Sequence, residues 1–231
     1  MNKKFKFRVG IAVAVGLLLS FYFIAVNLSH GKLRIPGYYR PESVDSFAED
    51  GKMVYDTVFH KVLPVVLTNQ LGKTVDLNKD AKGKMLVVNF MFTSCNSICP
   101  RMSSGMKMLQ KSFIRKNPDM VQFVSISVDP GRDSVPVLRK YADNYHADHD
   151  RWWFVTGNRD SIFNYARNEL GLSLNDGDVQ GDFIHSSKII LMDTSRHIRG
   201  YYDGLDTMAL RQCADDIVIL SMEKEKKKRK K

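Results

Sequence analysis

The chain has 231 residues, 26% of them charged and 44% hydrophobic, and a net charge of +10. That length suits one globular domain with appended segments and is enough to bury a core. The charge does not mark a nucleic-acid-binding face. The first eight residues carry +4 and the last ten +5, so everything between them is nearly neutral.

After the basic stretch 1–8 comes 9–26, "VGIAVAVGLLLSFYFIAV", eighteen residues without a charge. As a helix it is about 27 Å long, close to the hydrocarbon thickness of a bilayer. The basic residues precede it, which predicts a cytoplasmic N-terminus and a domain on the outer side. A cleaved signal peptide is the rival reading, but the run ends in "FYFIAVNLSH" without a small-x-small site. An uncleaved single-pass anchor is expected.

Residues 27–58 read as a juxtamembrane linker, because Pro36, Gly37 and Pro41 argue against a regular element. The domain is expected over 59–221. Residues 62–77 read as a hairpin around Asn69-Gln70-Leu71-Gly72. The run 84–92, "KMLVVNFMF", has the continuous apolarity of a buried strand. Helical spacing follows over 100–114, a second buried strand over 121–128, and a helix over 135–145. A short strand over 151–157, a helix over 161–170, a strand pair around Thr194-Ser195 and a helix over 205–220 complete the order. The resulting β-α-β-α-β-α-β-β-α succession predicts an α/β fold, a central mixed sheet with helices on both faces, of thioredoxin-like type. The last ten residues, 222–231, read as a basic tail: a frayed helix end or disordered.

The chemistry concentrates in "FTSCNSICPRM", residues 92–102. Cys95 falls in a loop and Cys99 at a helix start marked by Pro100. The helix dipole predicts a lowered thiol pKa, at Cys99 more than at Cys95. Three readings are open: a structural disulfide, a thioredoxin-type dithiol, or a soft-metal site. A disulfide here would close a very short loop and contribute little. Soft thiolates select Cu(I), zinc or iron–sulfur clusters, and two cysteines need a further ligand. The third cysteine, Cys213, lies in a helical pattern and reads as a packing residue.

Of six histidines, His30 is juxtamembrane and His60 precedes the first hairpin. His146 and His149 read as solvated, and His197 falls in a turn. His185 enters the strand that in a thioredoxin-like fold lies against the active-site helix, where thioredoxins carry a cis-proline. The last of the seven prolines here is Pro136, so that position is free, and a histidine there fits Cys₂His coordination. In "SVDPGRD", Asp133 or Ser134 reads as a helix cap and Arg132–Asp133 as a surface pair. Met102, Met106 and Met108 raise thioether ligation, but Met102 and Met106 share an apolar helix face and read as core.

"FTSCNSICP", "SISVDPGRDSVPVLRKYA" and "FIHSSKIILMD", in that order behind an anchor, resemble the SCO/SenC family of membrane-anchored copper proteins that help assemble cytochrome c oxidase. The resemblance covers about 65–219. It implies copper, Cu(I) or Cu(II), on Cys95, Cys99 and His185. The implied role is a metallochaperone, not an enzyme, that delivers copper to, or prepares, the dinuclear copper site of cytochrome c oxidase subunit II. A thiol reductase that keeps the pair reduced is an implied partner. The implied location is the bacterial inner (cytoplasmic) membrane with the domain on the periplasmic side. Two positions depart from the family pattern: Ile184 stands where many members have an acidic residue, and Gly131 where many have Glu. Two alternatives stay open: a thiol–disulfide reductase acting on the same recipient, and a redox or copper sensor that transfers nothing.

Overall fold

The computed structural model describes residues 3–29, 34–49, 52–113, 119–172 and 187–229. The chain divides into two units, Met1–Ile35 and Pro36–Lys231. The first contains helix α1, Lys3–Ser29. Within it Phe7–Ile24, mean hydropathy 2.1, is long and apolar enough to cross a membrane.

The second unit opens with an antiparallel hairpin, β1 Pro41–Glu49 and β2 Lys52–Phe59. This differs from the expectation of no regular structure up to residue 58. The prolines lie before or at the first residue of β1, where a missing amide donor costs nothing. The strands meet at the pair Glu49–Lys52, which flanks Asp50-Gly51 in sequence, a hairpin signal that the prolines overshadowed.

The elements then follow the predicted order. They are β3 Val66–Asn69, β4 Thr74–Asp76, β5 Met85–Met91, α2 Cys99–Phe113, β6 Val121–Ser127, α3 Val135–Asn144 and β7 Trp152–Thr156. Next come α4 Arg159–Asn164, which runs into a π-helical stretch Tyr165–Glu169, then β8 Lys188–Met192, β9 Ile198–Asp203 and α5 Thr207–Arg229. The strand order in the sheet is β4-β3-β7-β6-β5-β8-β9. β5, β6 and β7 are parallel, and β3, β8 and β9 are antiparallel to their neighbours. α5 continues as helix into the stretch read as a tail.

Every residue of β5 and β6 is buried, because both faces of the sheet are covered. Leu86, Val88 and Phe90 point into one core with Ile162, Phe163 and Ala166. Met85, Val87 and Met91 point into the other, with Cys95, Cys99, Met102, Met106, Leu138, Leu210 and Cys213. The period-two alternation of β5 thus divides its side chains between the layers. The C-terminal end of β5 delivers the chain to the cysteines.

The opposite end of the sheet is held by Arg199 on β9. Its side chain is almost fully buried and pairs with Asp193 and Glu223, each at 3.1 Å. It donates to the carbonyl of Pro36 at 2.6 Å and stacks over the Tyr38 ring at 4.1 Å. One cation therefore joins the start of the second unit, β9 and α5. Arg199→Ala removes the cation that Asp193 and Glu223 share. Urea unfolding of the full chain in detergent is expected to show a loss of roughly 3 kcal/mol; an unchanged midpoint would refute this role.

Candidate metal centre

β5 ends at Met91, and the Cys95 amide donates to the carbonyl of Phe92 at 3.3 Å, turning the chain toward α2. The α2 ladder begins with the Met102 amide donating to Ile98 at 2.9 Å. The first-turn amides of a helix have no intrahelical acceptor. Pro100 removes one of them. The Cys99 amide donates to the Cys95 sulfur at 3.4 Å. Cys95 thus caps the helix that Cys99 begins. Both thiols are free and buried, while Asn96 and Ser97 between them are exposed.

This geometry reverses the expected order of acidity. Burial raises the Cys95 pKa, but hydrogen bonds from the Cys99 amide and thiol and from Ser97 outweigh it and bring the pKa down to about 7. At Cys99 burial dominates. A backbone hydrogen bond from Phe92 offsets part of it, while the neighbouring Cys95 and Asp133 add to it, and the pKa is pushed up to about 12. The helix start stabilises a thiolate, as expected, but on the residue its amide points at. Near pH 7 Cys95 is therefore poised between thiol and thiolate while Cys99 keeps its proton.

Asp133 is fully buried. Its carboxylate accepts the Thr93 amide (3.2 and 3.3 Å) and the hydroxyls of Thr93 and Ser127, both at 2.5 Å. It therefore ties the loop two residues before Cys95 to the end of β6. The expected surface pair does not form: Arg132 pairs with Asp129 at 3.6 Å. Ser134 occupies the N-cap position of α3 without a side-chain capping bond.

His185 lies outside the described residues, in 173–186. β8, the strand that follows it, starts at Lys188 and runs antiparallel to β5 with Val88 opposite Ile190. It therefore begins at the end of the sheet where β5 leads into the cysteine loop. Three other histidines are engaged elsewhere. His60 bridges Glu42 and Glu169, at 2.5 and 2.9 Å. His149, expected to be solvated, lies between Asp143 (3.0 Å) and Gln70 (3.1 Å). His197 faces Asp193 at 3.8 Å. His146 takes a left-handed turn conformation after α3. Met102 and Met106 are buried and Met108 is partly exposed, as core packing on one helix face requires. Cys213 is fully buried, and burial pushes its thiol pKa up. No group of three metal-ligating side chains forms among the described residues.

Two outcomes are expected. Ultraviolet thiolate absorbance of the reduced chain should show one step centred near pH 7, retained in Cys99→Ser and absent in Cys95→Ser. The reverse pattern would return the thiolate to Cys99. Asp133→Ala leaves three donors, two on half-buried Thr93 and one on buried Ser127, without this acceptor and should cost about 3 kcal/mol in urea unfolding.

A sequence profile described as SCO1/SenC matches residues 59–218. The SCO1 protein homolog of Bacillus subtilis is 32% identical over 169 residues, 73% of this chain and 84% of that one. Among solved structures, a SCO1/SenC family lipoprotein from Bacillus anthracis superposes with a TM-score of 0.64 at 30% identity, over 70% of this chain and 95% of that one. BsSco superposes with a TM-score of 0.62 at 31% identity, over 70% and 94%; it is described as carrying a disulfide switch and as a member of the Sco family of cytochrome c oxidase assembly proteins. Extent and identity together place this thioredoxin-like domain: the chain belongs to the SCO1/SenC family.

Proposed function

We propose that the chain is a membrane-anchored copper metallochaperone. It binds copper through Cys95, Cys99 and His185 and delivers it to, or prepares, the dinuclear copper site of cytochrome c oxidase subunit II. The observation that carries this reading is the cysteine pair: two free, buried sulfurs, with the Cys99 amide donating to the Cys95 sulfur at 3.4 Å and lowering its pKa. Two soft sulfurs are the donor set for Cu(I), and a neutral imidazole completes a three-coordinate site. The family's link to oxidase assembly supports the recipient, and α1 supports the location, with the domain on the periplasmic side of a bacterial inner membrane.

Copper is the cargo. On loading at neutral pH, Cu(I) takes the Cys95 thiolate and displaces the proton of Cys99, which leaves to solvent. A three-ligand site keeps a position open to an incoming ligand of the recipient. Asn96 and Ser97, exposed between the sulfurs, are the surface a recipient meets. Exchange is then stepwise, each recipient donor replacing one donor of this chain. Oxidation of both thiols to a disulfide, with two electrons and two protons passing to an oxidant, withdraws the sulfurs. A thiol reductase reverses it.

The unequal pair favours a second reading, a thiol–disulfide reductase acting on the cysteines of the same recipient. Cys95 has the acidity of an attacking thiolate, and Cys99 is placed to resolve the mixed disulfide. Against it, thioredoxin-type substrate binding uses a cis-proline, and no proline follows Pro136.

An anaerobic Cu(I) titration of the reduced full chain in detergent separates the two. One copper per chain is expected, lost in Cys95→Ser and Cys99→Ser and at least about tenfold weaker in His185→Ala. Equal, weak binding by wild type and His185→Ala would sink the metal site and favour the reductase. The pH dependence has a defined sign. Between pH 7 and 12 binding displaces the Cys99 proton alone, so affinity should rise about tenfold per unit. Below pH 7 Cys95 also binds a proton, and the fall on acidification should become steeper than about tenfold per unit.

A further inference from the structure

The basic end of α5 is not used by the cysteine chemistry. Seven of the last ten residues are Lys or Arg and two are acidic. One of the two, Glu223, is already paired with Arg199, at 3.1 Å. α5 continues as helix through this run to Arg229. Just before it, Val218 and Met222 are exposed and four residues apart, which puts them on one helix face. Exposed apolar side chains followed by a dense cationic run are the composition of a segment that lies at a membrane interface.

The bracket around Arg199 fixes where this segment emerges. The same guanidinium holds Glu223 of α5 and the carbonyl of Pro36, the first residue of the second unit. Pro36 follows Ile24, the last residue of the apolar span, by twelve residues, a reach of at most about 40 Å. The basic run therefore starts near Pro36, the first residue of the second unit. The cysteines lie at the other end of the sheet. β9 runs from Ile198, opposite Met192, to Asp203, opposite Lys188, and β5, also antiparallel to β8, runs the same way as β9 toward Cys95, so Arg199 at the start of β9 lies at the far end from the cysteines. The seven-residue β5 separates the two ends by about 23 Å.

We infer that the base of the domain docks on anionic lipid headgroups through the basic end of α5, holding the cysteine end away from the bilayer. This rests on α1 being a membrane span, which is tested separately below. Charge complementarity and continuity with the arriving chain select a lipid surface over a soluble polyanion. The attraction is screened by salt.

The full chain is reconstituted in nanodiscs of phosphatidylcholine alone and of phosphatidylcholine with phosphatidylglycerol. Acetylation of Lys226, Lys227, Lys228, Lys230 and Lys231 is followed by mass spectrometry, with exposed Lys111 on α2 as internal reference. Docking predicts roughly tenfold slower labelling of the tail in the anionic discs, reversed by high salt, with Lys111 unchanged. Equal labelling in both discs overturns the proposal. Equal protection in both overturns it as well, because a cover indifferent to lipid charge is another protein surface. Release of the chain from liposomes by alkaline carbonate shows instead that α1 does not span, and the proposal falls with that reading.

Discussion

The carboxylate of Asp133 is the constraint on which the site depends. It is fully buried and accepts three donors from two chain segments, the Thr93 amide and hydroxyl and the Ser127 hydroxyl. A buried carboxylate is costly unless its lone pairs are filled, and here hydrogen bonds fill them, with no ion pair to it among the described residues. The stable arrangement is therefore one in which the loop after β5 and the end of β6 are drawn together. With Thr93 fixed, Cys95 has two residues in which to reach the start of α2. That short tether places its sulfur under the free amide of Cys99.

The acidities follow from this placement. A helix start presents a few amides, and the residue they point at receives the field, whatever its position in sequence. Pro100 withholds one amide and Cys99 offers its own, so the benefit goes to Cys95. Cys99 is left with burial and with two neighbouring negative charges. Such a pair resists holding two thiolates unless something shares the second charge. A proton does so in the resting state, and a monovalent soft cation replaces it in the proposed loaded state. In the function proposed above, competition between proton and metal at Cys99 keeps the binding reversible, which suits a carrier better than a permanent site.

Much of the fold was legible because burial on both faces leaves a plain mark. β5 and β6 read as strands from uncharged runs, and α2 from the spacing of Met102, Met106, Leu109 and Phe113, all buried. The hairpin of β1 and β2 was missed because Pro36, Gly37 and Pro41 read as linker and Asp50-Gly51 was not read as a turn. Asp133 was missed for a different reason. Beside Arg132 an aspartate reads as surface, and its burial is decided by Thr93, forty residues earlier. The order of thiol acidities was missed because spacing locates a helix start but does not say which way its amides point. His185 was read from its position ahead of a strand. The strand is present at Lys188–Met192, and the ligand role remains a proposal.

Chain direction organises the whole domain. Parallel strands β5, β6 and β7 all run toward one end, so the loops that follow β5 and β6 meet there, and Asp133 and the cysteines meet with them. β8 returns the chain, β9 runs toward the cysteine end again, and α5 carries it back along the sheet to Glu223. The end without the cysteines therefore collects the arriving segment at Pro36, the Arg199 bracket and the basic run. Attachment and chemistry are separated by the length of a strand. For a carrier of the kind proposed above that separation matters: its sulfurs stay accessible only if the end that is tethered is not the end that reacts.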